Sequence, residues 1–315
     1  MKLVFCGTPM FAVPSLERLA GAGFEIQLVV TQPDRPQGRG MALTAPPVKQ
    51  SALKLGLPVI QPEKIKKNEE FQAQLKALRP DAIIVVGYGR IIPPWMLELP
   101  RYGNINVHAS LLPKYRGAAP VQWAIAQGET VSGVTTMLLN EGLDTGDILL
   151  QKEMDIRPED TAVTYAPRLA EMGADMIVET LRGLEDKSVM PVPQDHARAT
   201  LAPILKKEDG LVDFSRSATE IHNRLRGFQP WPGAYTNFRG KSLKFINALP
   251  EDTLSNLKPS ELRVGDGNLF VGCGQRTVLQ MLQVQPEGKK VMAAREFVNG
   301  YHPAAGERLV STKED

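Results

Sequence analysis

Ala82-Ile83-Ile84-Val85-Val86 decides how the chain is read. Five apolar residues with no polar alternation predict a strand buried on both faces, as the central strands of parallel sheets are. On its N-terminal side, residues 69–78 have helical spacing and stop at Pro80, Val59-Ile60 is a short strand, and residues 48–55 form a helix stopped by Gly56. Residues 32–47 are rich in Pro, Gly and Arg and are expected to be a long loop. Further back, residues 24–31 carry Ile26, Leu28, Val29 and Val30 in a strand-like run. Residues 11–22 place Leu16, Leu19 and Ala20 on one helical face, and residues 2–6 are an apolar strand running into the Gly7-Thr8-Pro9 turn. On the C-terminal side, residues 104–108, 133–139 and 148–154 predict three more strands, and residues 161–183 a long amphipathic helix that closes the unit. Strands alternating with helices define an α/β domain with a mainly parallel, Rossmann-like sheet.

Beyond that helix the composition changes. Residues 188–206 hold Pro191, Pro193 and Pro203 with little periodicity and are expected to be a linker. Residues 217–226 read as a helix. Short runs at 234–238, 243–246, 261–264, 269–271 and 277–284, separated by Gly and Pro turns, predict a small β barrel or sandwich. The expected division is a catalytic domain over 1–187, the linker over 188–206 and a C-terminal domain over 207–315, and a length of 315 residues suits two domains better than one. With 43% hydrophobic and 23% charged residues, the chain has ample material for a soluble core. No run of about 18 apolar residues is present, and the apolar start is too short for a secretory signal, so a cytoplasmic location is expected. Cys6 and Cys273 lie far apart and suit neither a disulfide framework nor a zinc site; free buried thiols and no metal are expected. A net charge of +2 provides no broad basic field, so any nucleic-acid contact must come from local clusters. A monomer is expected, because no exposed heptad or large apolar stripe is present.

Polar residues at the ends of apolar strands carry the chemistry. Asn106 and His108 stand two apart on one strand and therefore project from the same face. A turn-rich segment, Ser110 to Gly117, follows, and Glu141-Gly142-Leu143-Asp144-Thr145-Gly146-Asp147 forms a Gly-punctuated loop between two later strands. Loops at the carboxyl ends of strands line the ligand crevice of open α/β sheets. Asn, His and Asp suit acyl transfer to an amine. Histidine handles the proton near neutral pH, an amide N–H steadies the charged oxygen, and a carboxylate orients the imidazole. No nucleophilic Ser or Cys is needed, because the amine attacks. Spacing alone does not bring Asp144 to His108, and a lone strand-end His or a loop Asp is more often structural.

Two long strings, Asn106-Val107-His108-Ala109-Ser110-Leu111-Leu112-Pro113-Lys114-Tyr115-Arg116-Gly117-Ala118-Ala119-Pro120 and Gly142-Leu143-Asp144-Thr145-Gly146-Asp147, resemble the signature of folate-dependent formyltransferases. The resemblance implies that Asn106, His108 and Asp144 form the catalytic set and that Ser110, Leu111, Leu112 and Pro113 lie against tetrahydrofolate. The segment Val86 to Pro93 is similar to one that flanks the folate pocket, which adds Tyr88. Thr31 to Gly40 resembles the insertion loop that tRNA-modifying members push into the acceptor stem, with Arg39 matching the loop arginine implicated in recognising the initiator and Arg35 beside it. Met41-Ala42 departs from relatives that often carry lysines there, which leaves fewer phosphate contacts. Elements near Leu205 to Asp209 and Arg226 to Ala234 look like the start of the family's OB-like C-terminal barrel, which holds tRNA; Lys207 is the expected contact, and Trp231 is expected to be a core or hinge anchor rather than a base-stacking platform.

These likenesses imply transfer of a formyl group from 10-formyltetrahydrofolate, a co-substrate, to the amino group of methionyl initiator tRNA in translation initiation. Gly7-Thr8-Pro9 is not a dinucleotide-binding fingerprint, so a nicotinamide cofactor is not supported. The rival readings are formyl transfer to an amino sugar or a glycinamide nucleotide, hydrolysis of formyltetrahydrofolate, and an inert RNA-binding protein. The first three lack the Pro-Asp-Arg-Pro-x-Gly-Arg-Gly loop, and the intact Asn, His and Asp set argues against the last.

Overall fold

The computed structural model describes residues 1–37, 42–251 and 254–310, which form two compact units. The first unit comprises Met1–Pro120, Val131–Asp155 and Tyr165–Pro203; the second comprises Val121–Thr130, Ile156–Thr164 and the described residues from Ile204 onward. Through the first unit the chain forms β1 (Lys2–Gly7), α1 (Val13–Gly21), β2 (Glu25–Val30), β3 (Arg35–Gln37), β4 (Ala42–Thr44), α2 (Pro47–Lys54), β5 (Val59–Ile60), α3 (Glu69–Leu78), β6 (Ala82–Val86), α4 (Pro94–Leu97) and β7 (Asn104–His108). It continues with α5 (Pro120–Ala126), which from Val121 on belongs to the second unit, then β8 (Val131–Leu138), β9 (Ile148–Asp155) and α6 (Ala162–Asp186), which lies in the first unit from Tyr165 on. Among the described residues the main sheet has seven strands in the order β5-β2-β1-β6-β7-β8-β9. Pairings from β5 to β7 are parallel, and those of β7 with β8 and β8 with β9 are antiparallel.

The apolar run at 82–86 is the buried centre of this sheet, with Ile83 and Ile84 fully covered. On one face Val4, Cys6, Ile83 and Val85 pack against Phe71 and Leu75 of α3 and Met96 of α4. Asn68 starts α3 by accepting the Phe71 N–H at 3.0 Å, and Glu69 and Glu70 suit the positive end of its dipole. On the other face α6 approaches β7 closely. Gly173 permits this, since a Cβ there would lie 2.7 Å from Val107 Cγ1. The chain leaves β1 outward through β2 and β5, then returns to β6 on the opposite side of β1. Such a reversal opens a crevice beyond the strand carboxyl ends.

The stretch expected as a long loop, 32–47, contains a paired hairpin instead: β3 and β4 are antiparallel, with Arg35 opposite Thr44 and Gln37 opposite Ala42. Pairing between short arms depends on register, which Pro- and Gly-rich composition does not reveal. Residues 188–203 lie along the first unit. Ile148 and Val192 exchange backbone hydrogen bonds of 2.8 and 2.9 Å, and Leu201 bridges Arg116.

The second unit carries α7 (Ala218–Gly227), β10 (Ala234–Phe238), β11 (Lys241–Glu251), β12 (Leu262–Gly265), β13 (Asn268–Gly272), β14 (Val278–Pro286), β15 (Met292–Ala293) and α8 (Ala294–Tyr301). Ser217 and Glu220 form a reciprocal capping box at the start of α7. The sheet is antiparallel, in the order β10-β11-β14-β13-β12, with β15 on β14. Val310 bridges Asn237 of β10, and Arg308 bridges Glu261 beside β12, so the last described residues join the two sheet edges into a small barrel. Its core includes Phe245, Val271, Leu279 and Phe297. Helix α5 packs with this unit through Trp123, edge-on to Phe228 at 5.2 Å. Among the described residues no helix is long and apolar enough to cross a membrane.

Candidate active site

Three neighbouring strands set polar side chains in one row. His108 of β7 pairs with Thr135 of β8, which pairs with Gln151 of β9. Directly opposed residues share a sheet face, and Asn106 lies two residues back on that same face. The row ties residues 109–117 across the sheet. Thr135 Oγ1 donates to the Ser110 carbonyl at 2.7 Å and accepts the Leu112 N–H at 3.1 Å. Gln151 Nε2 donates to the Leu112 carbonyl at 2.8 Å and to Thr135 Oγ1 at 3.0 Å. Gly133 is required by close packing, since a Cβ there would lie 2.0 Å from the Lys152 carbonyl oxygen of β9 and 2.8 Å from Leu111 Cδ2. Ser110 and Leu112 are buried beneath this segment, while Leu111 and Pro113 remain half-buried, able to face a ligand.

His108 is buried, and a neighbour sets its tautomer. Its Nε2 lies 2.9 Å from the Tyr115 carbonyl oxygen. A carbonyl only accepts, so Nε2 carries the hydrogen and Nδ1 of the neutral ring holds the lone pair. That Nδ1 faces Asp144 Oδ2 at 3.8 Å, beyond direct hydrogen-bond range but close enough for strong attraction once the ring is charged. Asp144 itself sits at a left-handed φ of 50°, and its Oδ2 accepts the Gly117 N–H at 2.8 Å. Asn106 is half-buried between Val85 and Met137 in the strand register. Among the described residues its side-chain amide makes no hydrogen bond, which leaves its N–H groups available to a ligand oxygen.

Asp144 does not reach His108 by the route that the carboxyl-end rule suggests. Strand β8 is antiparallel to β7 and finishes with Leu138 opposite Ile105, so the loop after it begins at the end of β7 remote from His108. The loop itself carries Asp144 back to the His108 ring, and the 109–117 segment meets it there through the Gly117 N–H. Sequence reasoning missed Thr135, Gln151, Tyr115 and Gly117 as builders of the site. The two-residue repeat of a strand marks which residues share a face, but only the register sets Thr135 and Gln151 beside His108.

The other expected contacts are placed differently. The Tyr88 ring is buried in the apolar core cluster that includes Cys6, where burial pushes its hydroxyl pKa up. Its carbonyl accepts from Thr8 Oγ1 and Gln32 Nε2, both at 3.1 Å, and ties the loops after β1, β2 and β6 together. Arg35 is exposed on β3, and Arg39 lies outside the described residues. Below the hairpin, Lys49 Nζ pairs with Asp34 at 2.7 Å, and this bond, with a second from Gln61, holds the Asp34 carboxyl below its ordinary pKa. Lys207 is exposed on a short turn, Lys207–Gly210, in the second unit. Trp231, expected as an anchor, is 55% exposed; the buried aromatic of that segment is Phe228, at 1%. The turn of 229–232 carries the indole outward, and the motif by itself does not show which of two nearby aromatics faces the core. Cys6 and Cys273 are free and buried, and burial raises both thiol pKa values, that of Cys273 to about 12.

An α/β fold that gathers His108, Asp144 and Asn106 at one crevice suits acyl transfer, and comparison with known families points the same way. Residues 1–181 match the formyl transferase family and residues 204–302 its C-terminal domain, so the chain belongs to the formyl transferases. Over 309 residues it is 65% identical to the methionyl-tRNA formyltransferase of Koribacter versatilis, with 98% of each chain covered. It is 62% identical to the methionyl-tRNA formyltransferase of Acidobacterium capsulatum, over 98% of this chain and 99% of the other. The N-formyltransferase from Helicobacter canadensis, solved with folinic acid and dTDP-3-aminofucose, shares the fold with a TM-score of 0.66 at 18% identity, covering 91% of this chain and 99% of that one.

Proposed function

We propose that the chain transfers the formyl group of 10-formyltetrahydrofolate to the amino group of methionyl initiator tRNA, acting as a monomer in the cytoplasm during translation initiation. The chemistry rests on His108, whose Nε2–H is committed to the Tyr115 carbonyl and whose Nδ1 faces Asp144. The acceptor rests on near-full-length identity to proteins named for that reaction.

When bound, the folate supplies a formyl group on a nitrogen that leaves carrying a proton. Asn106 donates an amide N–H to the formyl oxygen as it gains negative charge, a role worth about 2.7–4 kcal/mol at comparable sites. His108 Nδ1 takes the proton lost by the amine as its nitrogen bonds to the formyl carbon. Asp144 offsets the charge then carried by the ring. The same proton passes to the departing nitrogen, and His108 returns to neutral. Leu111 and Pro113 form the exposed part of the folate-facing segment, with Ser110 and Leu112 anchoring it. Arg35, Arg39 and Lys207 contact the tRNA, where guanidinium forks meet phosphates or exposed base edges.

The test is incubation of the pure protein with charged initiator tRNA and 10-formyltetrahydrofolate. Formylmethionyl-tRNA should form in step with deformylated folate, while an amino-sugar nucleotide should remain unmodified. Formylation of the amino sugar alone, or none by a folded protein, would refute the reading.

A further inference from the structure

We infer that Gln194 is a positioning residue for this reaction, holding Asp144 against His108 from a segment whose sequence reads as a linker. The inference rests on the function proposed above. Gln194 is buried, at 6% exposure, and its amide is fully used. Its Nε2 donates to the Asp144 carbonyl at 2.9 Å and to the Gly146 carbonyl at 2.7 Å. Its Oε1 accepts from Arg116 Nε at 3.1 Å and from Arg116 Nη2 at 2.6 Å. Two donors aimed at carbonyls and one oxygen aimed at a guanidinium suit an amide. A carboxylate lacks the donors, and lysine or arginine lacks the acceptor.

Both ends of that amide lead to the candidate catalytic pair. Arg116 lies between Tyr115, whose carbonyl holds His108 Nε2, and Gly117, whose N–H holds the Asp144 carboxylate. Its own main chain is anchored by Arg116 N–H to the Thr200 carbonyl at 2.9 Å and by Ala202 N–H to the Arg116 carbonyl at 2.7 Å. Asp144 keeps a left-handed backbone, which non-glycine residues hold only where the surroundings over-determine it. Gln194 grips the main chain of that turn while Gly117 grips its carboxylate. Register explains the placement: Ile148 pairs antiparallel with Val192, and stepping two residues outward on each side sets Gly146 opposite Gln194.

The test compares Gln194→Leu, which removes all four hydrogen bonds, with Gln194→Glu, which keeps the volume and the Arg116 contact but loses both donors. Each should lower kcat by about 30-fold while changing KM for folate and for charged tRNA by less than about threefold, the pattern of a lost transition-state interaction. In an Asp144→Asn background the same changes should cost less than about threefold more, because residues acting as one unit are not additive. Exchange of the Gly117 amide hydrogen should accelerate about tenfold or more in either folded variant, independently of turnover. An equal loss in both backgrounds, a loss confined to KM, or unchanged Gly117 exchange in a folded variant would overturn the assignment. Wild-type protein that fails to formylate the tRNA while Gly117 exchange responds to Gln194→Leu would instead sink the proposed function and leave the positioning contact standing.

Discussion

Replacing Asp144 by Asn removes one charge and little else. The amide is nearly isosteric, and its oxygen can still accept the Gly117 N–H that the carboxylate accepts at 2.8 Å. What is lost is the attraction between the carboxylate and a protonated His108 ring, separated by 3.8 Å between side chains only 6% and 13% exposed. With an effective dielectric constant of about 20, a full charge pair at that distance is worth roughly 4 kcal/mol. A proton about half transferred in the transition state would recover about 2 kcal/mol of it, or roughly a 30-fold loss of rate. Complete transfer sets a ceiling near a thousandfold, on the order of 10³, by the same conversion. The assay is single-turnover formylation of charged initiator tRNA at saturating folate, with a melting curve to confirm folding. A fall of less than about threefold in a folded protein would show that Asp144 does not oppose charge on His108 and would remove the electrostatic part of the argument.

Three further outcomes are expected. His108→Ala and Asn106→Ala should each lower kcat by about 100-fold or more while melting close to wild type, since each removes a group aimed at the reacting atoms; stopped-flow or quench-flow turnover checks this. Arg39→Leu should depress kcat/KM for tRNA far more than folate affinity, and Arg39→Lys should recover only part; full recovery by lysine, with the difference erased by salt, would reduce the loop to a point charge. In the second unit, the hydrogen bond from Arg239, at 2.7 Å to Glu307 Oε1, holds the Glu307 carboxyl below its ordinary range. A lowered folded pKa means that this contribution is intact above the unfolded value of about 4.3 and disappears as pH falls through the folded one. Glu307→Gln should therefore lower Tm at neutral pH and lose that deficit on acidification, and parallel melting curves from pH 3 to 7 would contradict it.

Local pattern and tertiary register divide the molecule between them. The apolar run at 82–86, the helix at 69–78 and the strands at 104–108 and 234–238 coincide with β6, α3, β7 and β10, because periodicity, capping and turn residues act within a few positions. The shared face of Asn106 and His108 follows from the two-residue repeat of a strand alone. The short helices α4 and α5 and the terminal α8 were not expected, the first two being too brief for a periodic signal. Asp144 and Gln194 were beyond local reasoning. One follows an antiparallel strand that ends away from His108, and the other lies in a proline-rich stretch whose pairing with β9 decides its neighbours. By itself the sequence determined which residue types stand on which strand, since that depends on side chains close along the chain. Only the tertiary structure decided which of them meet, because the return of the Asp144 loop to His108 and the pairing of Ile148 with Val192 join residues tens of positions apart.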